Sequence, residues 1–232
     1  QRRRQRQMCI RDSSNAAREP EIEDLSNCLI KMGAKIEGHG TKTILVQGVT
    51  NLKKAEHKII ADRIVAGTYI IAALMLNSTL EINNFNTIYL KSLIDILKKM
   101  GAKLKVSKNS IKVSKGSKLK STSLSTSPYP GFPTDLQAQL MSLMCISDGK
   151  SKIKETIFEN RFMHVPELNR LGANITVEKD TATIIGNQSF KGAQVMASDL
   201  RASISLVLAA MNASGQTTLN RVYHLYRGYE NI

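Results

Sequence analysis

The stretch LIKMGAKIEGHGTKTILVQG, Leu29 to Gly48, returns twice more along the chain, as LKKMGAKLKVSKNSIKVSKG from Leu97 and LNRLGANITVEKDTATIIGN from Leu168. In each copy, apolar residues at helical spacing run into a glycine, Gly33, Gly101 or Gly172, and a short alternating segment follows. The glycine reads as a helix C-cap. A left-handed residue there lets the chain leave the helix and enter a strand, Lys35 to Glu37 in the first copy, which turns back through Gly40, Asn109 or Asp180.

A second pattern alternates with the first: ADRIVAGTYIIAALMLNSTLEINNF from Ala61, TDLQAQLMSLMCISDGKSKIKETIF from Thr134 and SDLRASISLVLAAMNASGQTTLNRV from Ser198. Asp62, Asp135 and Asp199 each stand just before apolar residues at helical spacing. They are expected to open helices, because a carboxylate there accepts unpaired backbone N–H groups at the positive end of the helix dipole. Each unit then reads helix, strand, turn, strand, helix, strand. The expected fold class is α/β: tandem repeats that close around a shared core, with helices inside and sheets outside. Two weak boundaries are expected, a Lys-rich linker from Asn51 to Lys58 and a Ser, Thr and Pro-rich connector from Ser121 to Pro133.

At 232 residues and 42% hydrophobic, the chain can bury a sizeable core. No apolar run has the length of a membrane span, and even Tyr69 to Leu76 stops at Asn77. The three cysteines, Cys9, Cys28 and Cys145, show neither paired nor metal-type spacing, which points to a reducing compartment, read as the cytoplasm. The net charge of +14 invites a nucleic-acid reading. Yet the nine lysines between Lys98 and Lys120 alternate with Leu104, Val106, Ile111 and Val113, the pattern of a hairpin with its charged side in water. Residues Gln1 to Ser13 show no apolar periodicity and no leader-peptide cleavage site. The string QRQMCIRDS resembles translated sequencing-adapter read-through and is set outside the fold. The alternative is a basic arm for an anionic partner.

The run ETIFENRFMHVPELNRLGA from Glu155 resembles the signature of the UDP-N-acetylglucosamine enolpyruvyl transferases. So do FPTDLQAQ from Phe132, GAQVMASDLRAS from Gly192, YRGYE from Tyr226 and NAAREPEIEDL from Asn15. These motifs separate that family from the related shikimate-pathway transferase. The resemblance implies the enolpyruvyl transferase fold, an inside-out α/β barrel in two domains of three units each. On that frame residues 1–13 lie outside the fold, 14–60 match the last repeat of the first domain, and 61–232 match the second domain without its closing elements. The implied reaction moves enolpyruvate from phosphoenolpyruvate to the sugar 3-hydroxyl of UDP-N-acetylglucosamine. It is the first committed step of peptidoglycan synthesis, and so of cell-wall biogenesis, cell shape and division.

The resemblance also assigns residues. Asp135 is expected to bind the sugar hydroxyl and accept its proton, with a helix cap as its alternative role. Ile157 matches the position whose backbone contacts the nucleotide sugar. Arg161, Arg201 and Arg227 are expected to clamp phosphoenolpyruvate, since a guanidinium fork matches carboxylate and phosphate oxygens in pairs. Ordinary pairing to Glu159, Asp199 or Glu230 is the alternative for these arginines. The family's cysteine-bearing loop and lysine–asparagine pair lie in the part this chain does not match. The chain alone is therefore expected to be inactive, and Cys28 and Cys145 are expected to be inert buried thiols. No cofactor, metal, nucleic acid or membrane partner is expected, and the complete enzyme is expected to be a monomer. Two other readings remain: a noncatalytic repeat module with basic hairpins, and the sister transferase acting on shikimate phosphate.

Overall fold

The computed structural model describes residues 10–229 and divides them into two compact units, one of residues up to Ala61 with Pro128–Pro130, the other of Asp62–Ser127 with the chain from Gly131 onward. In the first unit, strand β1 (Ile10–Ser14), helix α1 (Pro20–Lys31), β2 (Lys35–Glu37) and β3 (Thr43–Gln47) form an antiparallel sheet of order β1-β3-β2 beside one helix. Pro20 presets the first turn of α1, Glu21 and Glu23 face its positive end, and Lys31 its negative end. Asp24 and His57 meet at 2.9 Å. The reading that Ile10 to Ser13 contributes nothing needs correction, because β1 pairs with β3 along its whole length. All five of its residues are exposed, so backbone hydrogen bonds alone hold it, and such a strand leaves no apolar pattern to read. Residues 1–9, with Cys9, lie outside the described residues.

The second unit carries the two patterns in turn. Helix α2 (Arg63–Met75), strand β4 (Leu80–Asn83), a 3-10 turn at Thr87–Leu90, helix α3 (Lys91–Lys99) and strands β5 (Leu104–Val106) and β6 (Ser110–Val113) give a sheet of order β4-β6-β5. Next come β7 (Leu124–Ser125), a 3-10 turn at Thr134–Leu136, α4 (Gln137–Ile146), β8 (Lys150–Lys154), α5 (Val165–Arg170), β9 (Asn174–Glu178) and β10 (Thr181–Ile185), with sheet order β7-β8-β10-β9. Last are β11 (Gln194–Met196), α6 (Leu200–Met211), β12 (Thr218–Asn220) and a 3-10 turn at Val222–Arg227, with β11 and β12 paired in parallel.

Helices α2, α4 and α6 are interior on nearly every side. Ile70, Ile71, Leu140, Met141, Leu143, Met144 and Leu206 are fully or almost fully buried in one contiguous core. Helix α3 is amphipathic instead, with Leu93, Ile94 and Leu97 inward and Lys91 and Asp95 paired on the outside. Some polar groups of the inner helices bond across helices, while both polar atoms of the Gln137 side chain are buried without a partner. Ser142 donates to the Ser205 carbonyl at 3.1 Å, and Gln139 donates to the Thr68 hydroxyl at 3.2 Å, which also lies 2.9 Å from the Tyr229 hydroxyl.

The three glycine caps form as read. Gly33, Gly101 and Gly172 have φ of 99°, 97° and 100°, and in each copy the following alanine N–H reaches back to the leucine that opened the motif, at 2.9, 2.9 and 3.0 Å. The lysine hairpin also forms: Ile111 and Val113 are buried while Lys105 and Lys112 face water. The third hairpin turns through Lys179 and Asp180 as read, with Lys179 in the left-handed region. One detail differs. The connector from Ser121 to Pro133 is no plain linker, because Leu124–Ser125 adds a parallel strand to β8 and Pro128–Pro130 belongs to the first unit. Among the described residues no helix is long and apolar enough to cross a membrane.

Where β10 leaves its sheet, Gly186 passes so close to the turn after α4 that an added Cβ would lie 1.8 Å from the Ser147 carbonyl oxygen and 2.8 Å from that of Gly149. Both atoms are backbone and cannot rotate away. Gly186→Ala is therefore expected to lower unfolding free energy by about 3 kcal/mol, read as a shift of the urea midpoint.

Candidate active site

Three aspartates stand at equivalent places in the repeat, and two behave as the pattern predicts. Asp62 accepts the Ile64 and Val65 amides at 2.7 and 3.0 Å, and Asp199 accepts the Arg201 and Ala202 amides at 2.8 and 2.9 Å. Asp135 does not cap. The chain around it winds as a 3-10 turn, Thr134–Leu136, and its carboxylate takes no amide of α4. Instead, Oδ1 accepts from Arg161 Nη2 at 2.9 Å and Oδ2 from Arg201 Nη2 at 3.3 Å. The helix-cap alternative for Asp135 is thus not what the structure contains.

Each arginine is placed by a different element. Arg201 lies in the first turn of α6, where Asp199 fixes the backbone beneath it. Arg161 comes from the loop between β8 and α5, with its guanidinium carbon 5.1 Å from the centre of the Phe158 ring. Both side chains are mostly withdrawn from water, and the carboxylate between them is 39% exposed. Each guanidinium gives Asp135 one N–H, and Arg201 also interacts with the Tyr229 hydroxyl. Arg227, at the end of the last 3-10 turn, is exposed and has no ion-pair partner among the described residues. Its alternative partner, Glu230, lies outside them.

Ile157 lies in the same loop as Arg161, partly exposed, and its backbone N–H already donates to the Glu155 carboxylate at 2.8 Å. Any backbone contact from Ile157 to a ligand therefore falls to its carbonyl. A cavity of about 710 Å³ opens along this loop, bounded by Ile157, Phe158, Arg161, Lys179 and the Lys154–Asp180 pair. Asp135 and Arg201 are not in its wall, so the arginine-clamped carboxylate and this cavity adjoin through Arg161 alone. Among the described residues no group of three or more His, Cys, Asp or Glu side chains could hold a metal ion.

Two residues near the site were not singled out from sequence. Glu155 is buried just before the loop. His164 is fully buried behind it, with Nε2 unpartnered, and burial pushes its imidazole down to about 4, opposed by Asp199 and aided by Arg161. Of the cysteines, Cys145 is buried, its thiol pushed up to about 12 by burial, and its S–H lies against the Met141 carbonyl. Cys28 is only half-buried, because α1 packs on a three-stranded sheet rather than inside a helix cluster.

The profile of the EPSP synthase (3-phosphoshikimate 1-carboxyvinyltransferase) family matches residues 7–232. The chain belongs to this family. Among curated members, the UDP-N-acetylglucosamine 1-carboxyvinyltransferases of Azorhizobium caulinodans and Pelagibacter ubique are 54% and 51% identical to it over 94% of its length. The chain spans about half the length of the curated relatives it matches, 51% and 52% of these two. Among solved structures of the EPSP synthase family fold, the enolpyruvyl transferase NikO from Streptomyces tendae superimposes with a TM-score of 0.86 at 28% identity, over 96% of this chain and 53% of that one. EPSP synthase from Acinetobacter baumannii, at 16% identity over 96% of this chain and 54% of its own, shares the fold with a TM-score of 0.71.

In this family member the neutral His164 links stability to pH. Its folded value of about 4 lies below the ordinary 6.5, so the unfolded chain binds the extra proton first. Stability from this residue is complete above pH 6.5 and is lost as pH falls towards 4. The loss from pH 7 to pH 4 is expected to reach about 3 kcal/mol. In urea unfolding at the two pH values, His164→Gln is expected to remove that difference.

Proposed function

We propose that this chain forms part of a transferase that moves the carboxyvinyl group of phosphoenolpyruvate onto the 3-hydroxyl of UDP-N-acetylglucosamine and releases phosphate, in the cytoplasmic synthesis of peptidoglycan precursors. The observation that carries the reading is the departure of Asp135 from helix capping to a place between Arg161 and Arg201. A carboxylate with a sufficient structural role at its two repeat equivalents takes a different one here. The roughly 50% identity to UDP-N-acetylglucosamine 1-carboxyvinyltransferases favours the nucleotide sugar over shikimate phosphate as acceptor.

In this scheme the sugar hydroxyl oxygen bonds to C2 of phosphoenolpyruvate while its proton passes to Asp135 and the methylene carbon takes a proton from a general acid of the half this chain does not match. The hydroxyl acidifies as the bond forms, so a carboxylate suffices as acceptor. Arg161, Arg201 and Arg227 hold the phosphate and carboxylate of phosphoenolpyruvate through paired N–H donors, which also neutralise charge as the phosphate leaves. Elimination then breaks the C2–O bond to phosphate as the conjugate base of that acid takes back a methyl proton. Ile157 contacts the nucleotide sugar through its backbone. No cofactor is required by these steps, and the complete enzyme acts as a monomer.

The test replaces the matching half of the Azorhizobium caulinodans relative with residues 15–232 of this chain and follows phosphate release. Activity with UDP-N-acetylglucosamine and none with shikimate 3-phosphate is expected. Asp135→Asn in the same protein is expected to lower kcat about a hundredfold to ten-thousandfold with the fold intact. A folded chimaera that accepts only shikimate 3-phosphate, or an Asp135→Asn variant with undiminished kcat, overturns the reading.

A further inference from the structure

Glu155 is 4% exposed, and no cation among the described residues pairs with it. Four neutral donors satisfy its carboxylate instead. Oε1 accepts from the Thr126 hydroxyl at 2.8 Å and from the Ile157 and Phe158 amides at 2.8 and 3.3 Å, and Oε2 accepts from the Thr134 hydroxyl at 2.9 Å. These donors come from three separate segments: the end of β7, the turn that carries Asp135, and the loop that carries Ile157 and Arg161. One buried group therefore holds the residue before Asp135 and the start of the Arg161 loop in a fixed relation.

We propose that Glu155 is the positioning residue that sets Arg161 and Ile157 against Asp135. It touches neither Asp135 nor Arg161 and acts only through Thr134 and the loop backbone. The role in substrate binding rests on the transferase reading above, whereas the positioning itself rests on geometry alone. The geometry also makes the effect separable from folding. Without Glu155, the Thr156 amide still donates to the Thr126 hydroxyl at 2.8 Å, and the Thr156 hydroxyl to the Thr126 carbonyl at 2.6 Å, so the loop stays anchored to β7 at its base. Arg201 reaches Asp135 from α6, outside this tie, and serves as an internal control.

The test uses the whole chain, with Glu155→Ala and Glu155→Gln, and residue-resolved NMR. In Glu155→Ala the Ile157 and Phe158 amides should exchange at least about tenfold faster. The Arg161 guanidinium signals should move to those of an unpaired arginine, while those of Arg201 and the amides of Leu140 and Leu206 stay as in the parent. Glu155→Gln should restore the parent behaviour, since its amide oxygen can accept the same three donors and its NH2 can donate to Thr134. An unchanged Arg161 signal beside unprotected Ile157 and Phe158 amides overturns the proposal, leaving Glu155 a loop cap only. Loss of protection that spreads to Leu140 and Leu206 overturns it too, making Glu155 a general structural residue. UDP-N-acetylglucosamine is then added to the same samples. Shifts at Ile157 in the parent that vanish in Glu155→Ala extend the role to binding. A silent parent leaves the positioning result standing, because the half of the site this chain does not match is missing from the sample; the transferase reading is then decided by the chimaera.

Discussion

Helices α2, α4 and α6 are packed with so little contact with water that several of their polar groups bond across to a neighbouring helix or turn. Thr68 illustrates how tightly this binds the arrangement. Its hydroxyl donates to the Ile64 carbonyl at 2.9 Å and accepts from Gln139, with the Tyr229 hydroxyl supplying the remaining bond. Gln139 in turn donates to the Asp135 carbonyl at 2.9 Å. Hydrophobic burial alone would allow the helices to slide, but directional bonds in a low dielectric fix their axial register. That register brings the first turn of α6 alongside the turn before α4, and so brings Arg201 to Asp135.

The repeat offers the same side chain to three equivalent places and obtains two outcomes. At Asp62 and Asp199 the chain enters the helix directly from an extended residue, and the carboxylate folds back onto the first amides. At Asp135 a preceding proline and a 3-10 turn carry the residue past the capping geometry, and the carboxylate points to guanidinium groups. A residue whose local rule is broken while its copies obey it marks where the fold yields to chemistry.

Much of this was legible in sequence because the signals were local. The glycine caps, the two helix-opening aspartates and the alternating lysine hairpin each depend on residues a few positions apart. Asp135, Ile157, Arg161, Arg201 and Arg227 were singled out only through family motifs, since any one of them taken alone has an ordinary surface explanation, and of these the structure brings Asp135, Arg161 and Arg201 together. What escaped was non-local or without a side-chain pattern. Strand β1 is held by its backbone, β7 is two residues long, and Glu155 is satisfied by threonines 29 and 21 positions away. The spacing from Glu155 to the Ile157 and Phe158 amides does follow the helix-capping pattern, and it was the one local hint of that residue's task.

The bond between the Thr68 and Tyr229 hydroxyls bears on how such a protein can change over generations. Position 68 can hold only a side chain that gives one proton inward and takes two from outside, and positions 139 and 229 must each supply one of those protons. Losing Thr68 removes a partner from the Gln139 amide and the Tyr229 hydroxyl at once, whereas losing either of those leaves Thr68 its bond to the Ile64 carbonyl. Drift is therefore most constrained at position 68, whose change is expected to be tolerated only alongside changes at 139 and 229, while each of those two can change with less disturbance to the rest.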